Sequence, residues 1–268
     1  MSVVIPEVNE MFEVEIARDG SLAFPNYDIE YDLSMVEFGE EETRAVALLF
    51  QWQDFGIAGP QQIISSYLKL SEYERIMFGA DCAEHVLWVF KEYNKKDQRP
   101  EKSIEAARFY ANSIGTNRQK IAKSLAVTAS KGAIDSAQIA EDEEQKIIKA
   151  DLNKRNLNKA REKSRVAKTI LDAASRAATS AADASNAVSG KSWQSILGTW
   201  RYGPLWGVMD SALWSAAVFA SANLSRKQEG DAIHYGKLEE LAWQVRRFVD
   251  CMEAMQSGGP WPPIKATK

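Results

Sequence analysis

Histidine and cysteine are the scarcest chemistry-bearing residues in this sequence. Two histidines, His85 and His234, leave little material for a histidine-built metal centre. Two cysteines, Cys82 and Cys251, exclude a disulfide framework and a four-cysteine zinc site. No run approaches the roughly 18 apolar residues of a membrane span, and the first residues lack the basic-then-apolar order of a secretory leader. A cytoplasmic protein that does not engage a membrane is therefore expected. The familiar catalytic signatures are missing as well: no Gly-x-Gly-x-x-Gly, no phosphate-binding loop, no Gly-x-Ser-x-Gly elbow and no His-Glu-x-x-His. That weakens the case for an enzyme, and no cofactor or metal is expected. A strong overall charge is also lacking. The net of −4 removes any whole-chain argument for a polyanion partner.

What is present is the composition of an ordinary globular protein. The 268 residues are 45% hydrophobic and 26% charged, ample for a real core. The charge is unevenly placed. Residues 1–60 hold 13 acids and 2 bases, whereas the rest of the chain carries a net +7. Met11-Phe12-Glu13-Val14-Glu15-Ile16 alternates apolar and charged residues, as a half-buried strand does. Arg18-Asp19-Gly20-Ser21 is a hairpin signal, because glycine allows the positive φ of a tight turn. The stretch Ile29 to Phe38 alternates again and presents Glu30, Asp32 and Glu37 on its outer face.

From Glu40 the period becomes helical. Glu40-Glu41-Glu42 favours a helix N-terminus through the macrodipole, and Ala45, Leu48, Leu49 and Trp52 follow at helical spacing. Ser71 with Glu74 reads as a capping box opening a helix to about Tyr93. A polar loop, a helix from Glu101 to about Ile114 and further helix beyond Asn117 come next. Residues 146–168 hold nine bases and two acids with sparse apolar positions, so 141–188 reads as a protruding helix or helical hairpin with one narrow buried stripe, and the small residues of 173–187 would allow close helix packing. Leu205 to Leu224 should be a helix buried on most sides, and Tyr235 to Met255 a final amphipathic one. The Gly-Pro-rich end cannot be helical. The expected fold is mainly α, a multi-helix bundle with a small N-terminal antiparallel β element. Its parts are an acidic β-hairpin or meander over 1–40, a helical domain over 41–256 and an extended tail over 257–268.

Three polar groups stand out. In Asp81-Cys82-Ala83-Glu84-His85, Asp81 and His85 lie one helical turn apart. A carboxylate beside an imidazole can orient a base or hold a metal, but one such helix is not a site. A hydrogen-bonded patch locking neighbouring helices is the plainer reading. Arg99-Pro100 leads into Ile104-Glu105-Ala106-Ala107-Arg108. There Arg108 can make a two-pronged contact with a carboxylate, Asp81, Glu84 or Glu105 being the candidates. Asp210, inside an apolar helix, must be paired or protonated, with Arg108, Arg201 or Arg246 as partners.

The stretch Asp81-Cys82-Ala83-Glu84-His85-Val86-Leu87, followed by Arg99-Pro100 and Ile104-Glu105-Ala106-Ala107-Arg108, resembles a family of mainly helical immunity proteins of bacterial polymorphic toxin systems. That family carries a similar Asp-Cys-Ala-Glu-x-Val-Leu helix, an acidic loop, Arg-Pro and an Ala-Ile-Glu-Ala-Ala-Arg helix. Ser103 stands here where the family pattern has alanine. The resemblance covers about residues 77–111 and implies a protein that occludes a toxin. An acidic surface suits a nuclease-type toxin, whose substrate groove is basic, because opposite potentials speed encounter.

The expectation is thus a non-enzymatic inhibitor of a protein partner, contacting it partly through Glu13, Glu15, Glu30, Asp32 and Glu37. The alternative is a homo-oligomeric assembly protein of a phage or mobile element, its acidic segment docking on the basic helix of a neighbouring copy. An enzyme using Asp81, His85 and Asp210 is a third reading. Nucleic-acid binding through residues 146–168 stands last, because that stretch lacks stacking aromatics and the chain is acidic overall.

Overall fold

A computed structural model describes residues 15–16, 22–23, 70–152, 158–189, 204–222 and 226–264. It is mainly helical. In chain order the elements are β1 (Glu15–Ile16), β2 (Leu22–Ala23), α1 (Glu72–His85), α2 (Leu87–Tyr93), α3 (Arg99–Ala111), α4 (Gln119–Leu152), α5 (Asn158–Asn186), a 3-10 turn at Ala187–Ser189, α6 (Pro204–Ser221) and α7 (Arg226–Gln256). The two short strands pair antiparallel, Glu15 opposite Ala23 and Ile16 opposite Leu22. The other residues of the β element expected over 1–40 lie outside the described ones. So do the expected helices between Glu40 and Leu68, the tryptophans Trp193 and Trp200, and the acids Glu13, Glu30, Asp32 and Glu37.

Local signals set the helix ends. Ser71 Oγ accepts from the Glu74 backbone N–H, and the Glu74 carboxylate accepts from the Ser71 N–H at 2.6 Å. Two N–H groups that the helix leaves unpaired are thereby satisfied. The expected single helix to Tyr93 is interrupted at Val86, which leaves helical geometry and whose carbonyl accepts from the Val89 N–H. The interruption re-aims the chain, so that Leu87, Val89 and Phe90 pack with α5. Pro100 sits in the first turn of α3, where its missing N–H leaves no bond unmade. Gly115 takes φ +76° in the turn between α3 and α4, a conformation that disfavours any side chain.

Helix α5 is the hub, packing against α1, α2, α3, α4 and α6. Its second half makes the close helix contacts that the small residues of 173–187 allow. Ala173, Ala174, Ala177, Ala178, Ala181, Ala182 and Ala184 are all fully buried. Alanine loses no side-chain entropy on burial and lets backbones approach closely. Serines bond across the resulting short gaps: Ser180 Oγ donates to the Val208 carbonyl at 3.0 Å, Ser215 Oγ to Ala173 at 2.8 Å and Ser103 Oγ to Ala181 at 2.9 Å. One core therefore runs from α1 to α7, with Phe78 edge-on to Phe248 at 5.4 Å. No helix among the described residues is long and apolar enough to cross a membrane.

Gly236 marks a close crossing between α6 and α7. A Cβ there would lie 2.9 Å from Ala217 Cα and 3.0 Å from Ala220 Cβ. Because a backbone atom is the obstacle, no side-chain rotation relieves it. Gly236→Ala should therefore cost about 1–3 kcal/mol despite alanine's better helix propensity. A rise in melting temperature for that variant would contradict the packing described.

Candidate functional site

Asp81 lies on the inward face of α1 with its side chain 1% exposed. A carboxylate cannot be left unpaired at that depth, and every oxygen is occupied. Oδ1 accepts from Arg108 Nη2 of α3 at 2.6 Å. Oδ2 accepts from Arg247 Nε at 2.8 Å and Nη2 at 2.6 Å, and from Trp261 Nε1 at 2.9 Å. Arg247, 7% exposed, also donates to the Pro262 and Pro263 carbonyls. The end of the chain is thus strapped across the base of the bundle, with Trp261 edge-on to Tyr73 at 5.9 Å. Arg108 Nη2 is shared with Glu84 Oε2 at 2.5 Å, so it bridges two carboxylates rather than gripping one. Burial alone would lower the Arg108 pKa, but Glu84 and Asp81 offset it and the pKa rises.

His85 belongs to a different group. Its Nδ1 donates to Glu240 Oε2 of α7 at 2.7 Å, and its ring stacks on Trp243 with centroids 3.7 Å apart and planes within 6°. Glu240 is 1% exposed. Its second oxygen accepts from Gln244 Nε2 at 3.0 Å, and that nitrogen also donates to the Met209 carbonyl at 3.1 Å. Cys82 lies between the two groups. Burial, with Glu240 and Asp81 nearby, pushes its thiol pKa well up, and burial pushes Cys251 to about 12. Both sulfurs hold their protons at neutral pH, which removes the thiolate that nucleophilic or metal chemistry needs.

The remaining candidates stand apart. Arg99 closes on Asp97 of its own loop, Nε to Oδ1 at 2.9 Å and Nη2 to Oδ2 at 2.6 Å. With Ser136 donating to the same carboxylate, Arg99 holds the Asp97 pKa down at about 2. Glu105 lies on the exposed face of α3. Asp210 sits on α6, where burial raises its pKa to about 6 against the opposing charges of Arg176 and Lys237. Those two cations also approach the Trp214 ring, Lys237 Nζ at 3.3 Å and Arg176 Cζ at 5.6 Å from its centroid. Arg108, one of the partners considered for Asp210, is committed to Asp81 and Glu84. No group of three or more histidine, cysteine or acidic side chains among the described residues could hold a metal.

The partners that reading the sequence missed all come from the far end of the chain. Glu240, Gln244 and Arg247 recur at i, i+4 and i+7 along α7, in register with Gly236 and Cys251. A polar stripe in register with a crossing glycine was the available sign that this face looks inward.

Residues 67–150 match the family model described as Imm-5 like putative immunity protein. No curated protein and no solved structure matches the chain. The matched segment spans α1, α2, α3 and nearly all of α4, and so contains Asp81, Glu84, His85, Arg99, Glu105 and Arg108. The groups that complete its polar interior, Glu240, Arg247 and Trp261, lie beyond it.

Proposed function

We propose that this protein neutralises a protein partner by binding it, in the manner of an immunity protein, without catalysing a reaction. The match over residues 67–150 carries this reading. The interior of that segment supports it. Asp81 and His85 are one turn apart yet engage separate partners, and both oxygens of Asp81 are occupied by donors from within the chain. Such residues hold helices and the chain end in register, leaving an acid–base pair nothing free to act with.

The contact surface we assign is the acidic segment, through Glu13, Glu15, Glu30, Asp32 and Glu37. The partner that fits is a basic one, such as a nuclease-type toxin, and encounter would slow as salt rises. Reversing these five acids to lysine in the full chain should reduce the association rate at least a hundredfold at low salt and leave the melting temperature nearly unchanged. Unaltered association would remove the acidic segment from the interface.

A further inference from the structure

Large apolar side chains on the described surface are few, and three of them flank one turn. Phe109, near the end of α3, is 42% exposed, and Ile121 and Leu125, in the first turns of α4, are 64% and 51% exposed. Ile121 and Leu125 are four residues apart and so share a face of α4. Arg118, Lys120 and Lys131 flank that face, whereas Lys123 lies on the other side of the helix, and residues 112–134 contain no acid. None of the four bases forms an ion pair with an acid of the described residues. A basic rim around exposed Ile and Leu calls for an acidic, apolar-faced occupant.

The continuously described chain begins near the first turn of α4. Two residues after Leu70, Glu72 accepts from Tyr110 Oη at 2.9 Å, and Tyr110 Oη accepts from Gln119 Nε2 at 3.2 Å, Gln119 being the first residue of α4. The 69 residues ahead of Leu70 therefore arrive at the start of α4, within reach of that face, and carry the acidic part of the sequence. Within them, residues 40–54 combine both required features: the acids Glu40, Glu41 and Glu42, then Ala45, Leu48, Leu49 and Trp52 on one helical face. The link from residue 54 to Leu70 spans on the order of 50 Å when extended, so its length does not prevent the contact.

We propose that the Ile121–Leu125 face of α4 is the docking site for residues 40–54 of the same chain, the apolar faces meeting and Glu40–Glu42 lying against the bases. Docking would hold residues 10–39 near the turn between α3 and α4. The occupant comes from within the chain, so this inference stands whether or not the acidic strands contact an outside partner.

Arg44 gives a direct test, because it is the sole lysine or arginine between Arg18 and Lys69. The readout is the initial rate of tryptic cleavage after Arg44 in the full-length protein at low salt. Docking predicts slow cleavage in the unaltered chain. It predicts at least a tenfold acceleration both in Ile121→Ser with Leu125→Ser and in Lys120→Glu with Lys131→Glu. The melting temperature should hold, since all four side chains are exposed. Amide hydrogen exchange over residues 45–52 should rise in the same two variants, reading the contact without a protease. Cleavage and exchange unchanged by both pairs would overturn the proposal. Protection that grows with protein concentration would also overturn it, by making the occupant the same segment of a second copy.

Discussion

Asp81→Asn should lower the stability of this protein by about 3–5 kcal/mol, the cost of breaking a buried ion pair from one side. On a chain of this size that is a fall in melting temperature on the order of 10 °C. The two arginines are affected unequally. Arg108 is partly exposed and keeps Glu84, whereas Arg247 is 7% exposed and keeps only the Pro262 and Pro263 carbonyls. The neutral amide also presents one acceptor where the carboxylate offered two. Arg247 is therefore the main source of the loss, and Asp81→Asn combined with Arg247→Met should recover part of it. Trp261→Phe removes one hydrogen bond but keeps the ring against Tyr73, so about 1 kcal/mol is expected. Thermal denaturation of the three variants measures this order. An Asp81→Asn protein with unchanged melting temperature and lost function would contradict it and revive a chemical role for the residue.

Asp210 predicts an effect of the opposite sign. Its pKa stands at about 6 where an ordinary aspartate has 3.8, burial being the cause and Arg176 and Lys237 the partial compensation. A raised pKa means that the folded state holds the proton more tightly than the unfolded state. Stability linked to this group is therefore greatest below about pH 4, declines as pH rises, and is lost once pH passes about 6. The difference corresponds to about 3 kcal/mol at neutral pH. Asp210→Asn should thus stabilise the protein by about that much at pH 7.5 and by almost nothing at pH 4. Urea denaturation of both proteins at those two pH values gives the answer. A destabilised Asp210→Asn at pH 7.5 would mean that the charge on Asp210 stabilises the fold through Arg176 and Lys237.

The two residues show what could and could not be read from the sequence. Asp210 was visible as an acid in an apolar helix, where composition alone demands a partner, and Asp81 as a member of a polar patch locking neighbouring helices. Local features were legible: the Ser71–Glu74 capping box to the residue, and the bounds of α3 to within three positions. Each depends on contacts within a few positions along the chain. The identity of long-range partners was not legible, because Arg247 lies 166 positions from Asp81 and Glu240 lies 155 from His85. Periodicity shows which side of a helix is buried but not which neighbour covers it. The small residues of 173–187 announced close helix packing, and the alanines there are buried, but composition could not say that five neighbours would make α5 the centre. The break at Val86 left no mark in the pattern, since residues on both sides of it remain apolar at helical spacing.

The central claim is that the protein acts by binding one protein partner. Its most direct test is to recover the tagged full-length chain from its native host at low and moderate salt, weigh what accompanies it, and express that companion with and without the chain. The account predicts one companion at near-equal amount, growth arrest when it is expressed alone, and rescue when this chain is supplied together with it. Recovery of the chain solely with copies of itself, at both salts and as a defined oligomer, would contradict the account and favour an assembly role.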